Sequence, residues 1–289
     1  TGRYPIFDLT CNGVHFILNG DKHKGAKMDY ASLDDFVATG KDHVAKGPIA
    51  IIIVEDMVEV ASTLKHHIKL GFQKVLVVAN DLPKISPAIL EKVVTIKHNF
   101  LNQDAKEAVV NRISALAPAQ WFYYCYNAEY LFFPFCETRS VTELLAFHTE
   151  EKRASMLCYV IDLYAGNLEK YPNAVSIEDA HVDKAGYYSL GRQDPKTHAT
   201  LERQLDFFGG LRWRYEEFVP YEKRKIDRIG IFKSKAGLEL NSNDLFNDPE
   251  YNTYSCPWHH NLTAAIVSFR TAKALKRNPA SRHQIQDFK

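Results

Sequence analysis

The sequence predicts an α/β protein built on a mostly parallel sheet with helices on both faces. Three observations predict it. Residues 48–54 (Pro-Ile-Ala-Ile-Ile-Ile-Val) are too short for a helix and apolar on both faces, as in a covered strand. Met57, Val60, Ala61, Leu64 and Ile68 then recur at helical spacing, with Gly71 where a helix would end. The strand–helix alternation continues to residue 124, and such alternation implies parallel strands joined by crossover helices.

Each element has its own local reason. Residues 4–18 carry short apolar runs broken at Asn12-Gly13, which reads as a hairpin, and residues 20–29 form a polar, Lys-rich loop. Residues 74–79 are a second strand, closed by Asn80-Asp81-Leu82-Pro83, and residues 93–96 a third. Ala105, Val109, Ile113 and Leu116 mark a helix stopped by Pro118, and residues 121–124 are a fourth strand. Val141, Leu144, Leu145 and His148 predict a helix, and residues 156–163 a strand. Residues 165–215 read as loop-rich. Residues 261–277 read as one amphipathic helix, with Leu262, Ala265, Ile266, Phe269, Ala272 and Leu275 on one face, Asn261 as cap and Asn278-Pro279 as stop. The expected organisation is a single compact domain: an N-terminal extension (1–47), a core (48–165) and a C-terminal helical and loop elaboration (166–289).

Composition narrows the function classes. The 289 residues carry 36 Lys+Arg against 35 Asp+Glu, a net charge of +1, so no general attraction to nucleic acid is expected. Aromatic residues at 12% exclude a disordered chain. No apolar stretch approaches the roughly 18 residues that cross a bilayer. No signal peptide is visible. Five dispersed cysteines without C-x-x-C suit free thiols in a reducing, cytoplasmic setting. Asn261-Leu262-Thr263 is read as a chance glycosylation sequon. The glycine-rich dinucleotide and P-loop signatures, the G-x-S-x-G elbow and H-E-x-x-H are all absent.

Parallel sheets bind ligands at the carboxyl ends of their strands. That topology gathers Glu55, Asp56, Asn80, Asp81, Asn127 and Glu129 on one edge. Glu55-Asp56 could serve a nucleotide's uracil or ribose, or complement a helix dipole. Arg212 and Arg214 flank Trp213; on a strand they would share a face and suit a diphosphate or a carboxylate, or form a solvated edge with Arg–Glu pairs. Trp258-His259-His260 precedes the last helix, where an anion, a proton carrier or a stacked sugar ring would fit.

Residues 51–131 resemble the family 2-like bacterial glycosyltransferases with the GT-A fold. The resemblance rests on Val54-Glu55-Asp56, on His66-His67-Ile68-Lys69-Leu70-Gly71-Phe72, on Val77-Val78-Ala79-Asn80-Asp81 and on Trp121 through Tyr126-Asn127-Ala128-Glu129-Tyr130-Leu131. It implies a nucleotide-sugar donor, held by Glu55, Asp56, Asn80, Asp81, Asn127, Glu129, Arg212 and Arg214. It implies transfer by inversion to a cell-envelope glycan or lipid-linked acceptor, in polysaccharide biosynthesis. Asp162, Glu178, Asp179 or Glu217 would take the acceptor proton, with His259 as a further catalytic group and Trp258 and His260 on the acceptor. The family's metal-binding Asp-x-Asp falls here on Tyr126 and Ala128, so Mn²⁺ or Mg²⁺ would be left with Glu129 and weak metal dependence is expected. Arg212, Arg214 and His259 or His260 could then offset the diphosphate charge. The alternative is an inactive, transferase-derived binding or structural subunit. Lys223, Arg224, Lys225 and Arg228 offer a basic patch for peripheral contact with the inner face of a membrane.

Overall fold

A computed structural model describes residues 28–81, 83–100, 105–258 and 261–289. The expected hairpin at 4–18, most of the loop at 20–29, Cys11, His259 and His260 lie outside the described residues. In chain order the elements are β1 (Asp29–Tyr30), α1 (Leu33–Thr39), β2 (Ile49–Val54), α2 (Val60–Lys69), β3 (Lys74–Ala79), β4 (Val93–Lys97), α3 (Lys106–Ser114), β5 (Trp121–Tyr126), β6 (Glu129–Phe132) and α4 (Val141–Glu150). Then come β7 (Ser155–Ala165), β8 (Ala180–Val182), β9 (Tyr188–Gln193), β10 (Thr200–Phe208), α5 (Leu211–Arg214), β11 (Asp227–Lys233), β12 (Ala264–Ser268) and α6 (Arg270–Arg277).

The fold is α/β around a mixed, mostly parallel sheet in the order β1-β4-β3-β2-β5-β11-β7-β12-β6. β1, β4, β3, β2 and β5 run parallel, and β11 is inserted antiparallel between β5 and β7. From β2 the chain steps outward to β3 and β4, then returns to place β5 on the other side of β2. The carboxyl ends of β2 and β5 therefore flank a point where the strand order reverses, which is where open α/β sheets form a crevice.

Every residue of β2 is buried, because helices cover both faces. Ala50, Ile52 and Val54 pack with Val60 and Leu64 of α2 and Val141, Leu144 and Leu145 of α4. Ile49 and Ile51 pack on the other side with Leu33 and Phe36 of α1 and Val109, Val110 and Ile113 of α3. This alternation is the two-residue period of a strand. Truncating one such isoleucine to alanine costs about 2–5 kcal/mol. His66 and His67 of α2 are spent on structure: their rings bond the carbonyls of Leu131 and Thr63, and burial pulls their pKa values down to about 4 and about 3.

Three expectations are corrected. Residues 264–268 form β12, and only Arg270–Arg277 are helical. Leu262, Ala265, Ile266 and Phe269 keep helical spacing by coincidence, and pairing between β7 and β6 overrides it. The loop-rich stretch contains β8 and the antiparallel β9–β10 hairpin. The Arg212–Arg214 segment is one helical turn rather than a strand, so the two arginines diverge.

β7 connects the two halves of the sheet. Residues 155–159 pair with β11, residues 158–162 with β12, and residues 163–165 with β8. At the far end of β12, Ser268 is in register with Asp162 of β7 on one side and Glu129 of β6 on the other. Residues in register on neighbouring strands present their side chains to the same face, so these three form one row.

A candidate anion site at the carboxyl edge

The row Glu129–Ser268–Asp162 is the floor of a cluster of paired charges. Glu129 is fully buried. One guanidinium nitrogen of Arg228 donates to both of its oxygens, at 2.7 and 2.8 Å. The Ser268 hydroxyl donates to Oε1 at 3.0 Å, and the Tyr126 N–H to Oε2 at 2.9 Å. Burial pushes the Glu129 carboxyl up, but Arg228 outweighs it and the net shift is downward.

Asp162 is its opposite. It is fully buried; Oδ2 accepts the Leu211 N–H at 2.8 Å, while Oδ1 has no well-aligned hydrogen bond. Burial raises its pKa to about 6, against the pull of Arg212 and of the neighbouring Thr271 hydroxyl. Arg212 donates from Nε to that hydroxyl at 3.3 Å and from Nη1 to the Lys225 carbonyl. Gly210 has φ +64°, and a Cβ there would stand 2.6 Å from Asp162 Oδ2, so only glycine lets this turn close on the carboxylate.

Beyond the row, three side chains of α6 reach the turn after β2 and the end of β5. Arg270 forms a two-point pair with Glu55, at 2.8 and 2.6 Å, and its guanidinium carbon lies 3.8 Å from the centre of the Tyr126 ring. Asp56 pairs with Lys273 at 2.9 Å and with Arg277. Asn127 ties the two turns together: its carbonyl accepts the Glu55 N–H at 2.9 Å, and its amide donates to Asp56 at 2.9 Å and to the Val58 carbonyl at 2.8 Å. Burial raises the Asp56 pKa, but Lys273 and the surrounding N–H donors reverse the shift, and the net change is downward. Arg228 and Arg270 both lie close enough to act electrostatically on Arg212.

Glu55, Asp56, Asn127, Glu129, Asp162 and Arg212 thus meet in one cluster. Asn80 and Asp81 stand exposed on the same edge, in contact with each other at 3.4 Å, because Ala79 is level with Val54. Arg214 turns away and pairs with buried Asp183 and with the Phe288 carbonyl. Asp179 closes the turn after β7, accepting the Asn167 N–H at 2.8 Å, and Glu178 and Glu217 are exposed. Trp258 is exposed ahead of the start of β12, at the end of that strand away from Ser268; His259 and His260 lie outside the described residues. Of the basic patch, Arg228 is buried on Glu129, Arg224 pairs with Glu216 and Lys225 with Asp206, while Lys223 and Lys225 remain exposed. The sequence reading missed Arg270, Lys273 and Arg277. Their spacing of three and four is a basic stripe on one helical face and could have marked them.

The residues that align with the resembling family's Asp-x-Asp do not suit a divalent cation. Tyr126 and Ala128 offer no carboxylate, and both Glu129 oxygens are already bonded to Arg228. Among the described residues, no three His, Cys, Asp or Glu side chains are grouped to hold a metal, and no helix is long and apolar enough to cross a membrane. The chain matches no protein-family model, and its comparison with curated proteins finds no significant match.

Proposed function

We propose that the protein is a GT-A-like glycosyltransferase that holds the diphosphate of a nucleotide sugar with arginines instead of a metal ion. One observation carries the reading: the Arg270 guanidinium lies 3.8 Å over Tyr126, the residue standing where the resembling family has its first metal-binding aspartate. Arg212, within electrostatic reach of Arg270, supplies further positive charge. Planar guanidinium groups match phosphate oxygens, and fixed cations in a site shielded from water stabilise a departing diphosphate. Asp162, with a pKa raised to about 6, is the carboxylate suited to take the acceptor proton near neutral pH. The acceptor oxygen then attacks the anomeric carbon, the bond from that carbon to the diphosphate oxygen breaks, and the nucleoside diphosphate leaves with the electron pair. The reading includes a cytoplasmic enzyme with a glycan or lipid-linked acceptor.

The alternative, a transferase-derived subunit without turnover, draws on the same cluster: Glu55 and Asp56 already occupy Arg270, Lys273 and Arg277. Calorimetry with a panel of nucleoside diphosphates, with and without EDTA, tests the shared premise. Binding should persist in EDTA, and Arg270→Ala should weaken it by about tenfold or more, the loss expected for one charge-assisted contact. Binding that vanishes in EDTA overturns the arginine site. Release of nucleoside diphosphate from a nucleotide-sugar panel then separates enzyme from binder.

A further inference from the structure

An edge strand leaves a row of N–H and C=O groups unpaired, ready to pair with another extended chain. The edges of this protein are not equal. β1 and β8 have two and three residues, too few to template a partner. On β6, Glu129, Tyr130 and Leu131 are buried, and the Leu131 carbonyl is bonded to His66. β9 differs from all of them. It runs for six residues, and among the described residues its main chain pairs with β10 alone. Tyr188, Ser189, Leu190, Gly191 and Gln193 are all exposed. The inner strand, β10, is held to the body: the Phe207 N–H donates to Asp227 at 2.7 Å, and the Phe207 carbonyl accepts the Ile226 N–H at 2.9 Å. The hairpin is thus fastened by β10 and offers β9. Nor does β9 carry the usual guards of an open edge. It has no proline and no lysine. Its one charge, Arg192, is buried and neutralised by Asp206 and Asp227, at 2.6 and 2.7 Å. Residues 185–191 are uncharged, and the charges that flank the strand are opposite in sign, Lys184 before it and Asp194 after it.

We propose that β9 is a self-association edge, which pairs antiparallel with β9 of a second copy of this chain about a two-fold axis at Ser189. The charge order selects this occupant and this direction. Antiparallel pairing brings the Lys184 end of each strand to the Asp194 end of the other, so the flanking charges attract. Parallel pairing would set Lys184 against Lys184. The axis also places Tyr188 of each copy opposite Leu190 of the other, an aromatic–aliphatic cross-strand pair made twice. One strand pair buries less than the roughly 1,200 Å² of a stable interface, so the association is weak, with a Kd of roughly 10–500 µM. The inference is independent of the transferase reading.

Sedimentation velocity on the full chain, from about 5 µM to about 1 mM, tests this. The wild type should shift from monomer toward dimer across that range. Leu190→Lys adds a charge to each copy at the contact and should weaken association about tenfold or more. Its urea midpoint should stay that of the wild type, because Leu190 is exposed. Ser189→Cys places two thiols on the axis, at a Cα separation within reach of a disulfide, and mild oxidation should yield a covalent dimer beyond the wild-type level. Gln193→Cys is the control, since its two copies would lie about 27 Å apart along the pair. The proposal is overturned by a wild type that stays monomeric throughout, by a Leu190→Lys variant that dimerises as the wild type does, or by cross-linking of Gln193→Cys as fast as that of Ser189→Cys.

Discussion

Two arginine clusters sit at opposite ends of β7, and they are built differently. At the amino end, Arg153 and Arg203 share Glu250, and both also donate to the Ser255 carbonyl. Arg153 further bonds the carbonyl and the hydroxyl of Thr253, at 2.9 and 2.8 Å. These guanidinium groups fasten the 250–255 loop to the sheet, and their main-chain partners cannot leave without unfolding it. At the carboxyl end, Arg228 and Arg270 donate, among the described residues, to side-chain carboxylates: Glu129 and Glu55. Glu55 is partly exposed and can swing away on its rotamers to yield its place to another anion, whereas Glu129 is fully buried and holds Arg228 in place. The contrast separates arginines that hold the architecture from Arg270, which can accept a ligand.

The largest effect should fall on the buried carboxylate. Glu129 has no exposure, and Arg228 beside it is 6% exposed. Glu129→Ala strands the Arg228 charge in the interior, and breaking such a buried pair costs about 3–5 kcal/mol. Glu250, at the other end, is 55% exposed, and its arginines keep their carbonyl partners. Glu250→Ala should therefore cost about 1 kcal/mol or less. Urea unfolding of the two variants checks this. Equal losses would erase the distinction between the clusters.

Asp162 sharpens the contrast through pH. Its pKa is about 6 in the folded chain against an ordinary 3.8, so between those values the folded state holds more protons than the unfolded one. Stability then falls as pH rises through that window, by at most about 3 kcal/mol. Asp162→Asn keeps an oxygen for the Leu211 N–H and removes the titration. The variant should gain on the wild type as pH rises from 4 to 6 and hold that gain at pH 8. Buried His66 and His67, with lowered pKa values, act in the opposite sense below neutrality, so the difference between the two proteins is the quantity to read. A constant difference across the range would mean that Asp162 is not held neutral by burial.

The strands at residues 48–54, 74–79, 93–96 and 121–124 were legible because their apolar runs are local facts, and with them came the shared edge of Glu55, Asp56, Asn127 and Glu129. β12 was not, because Ala-Ala-Ile-Val-Ser fits either period and its partners are remote in sequence. The cations were the larger miss. Arg270 meets Glu55 across 215 positions and Arg228 meets Glu129 across 99, and nothing in a local window marks a pairing of that range. Arg228 reads as one of a surface run of basic residues until β11 is known to lie inside the sheet. Arg214 failed for a different reason: a one-turn helix after Gly209-Gly210 leaves no periodic signature.

The smallest effect bears most directly on what Glu55 does. It is 35% exposed and Arg270 is 34% exposed, so the pair is partly screened by water and worth about 0.2–1 kcal/mol. If Glu55 occupies Arg270 only until a diphosphate arrives, the incoming anion must break that pair. Glu55→Gln would remove the competitor and leave the fold nearly unchanged, and nucleoside diphosphate affinity should rise roughly two- to fivefold. If Glu55 instead contacts the uracil or ribose, as its place after the first long strand first suggested, the same substitution should lower affinity. Titrating the variant and the wild type with one nucleoside diphosphate at low and high salt decides between them. A gain that shrinks at high salt identifies the displaced ion pair, because screening weakens the competitor that the substitution removes. A loss at both salt concentrations returns Glu55 to the donor-binding groups and makes Arg270 part of the fold, like Arg203 at the other end of β7.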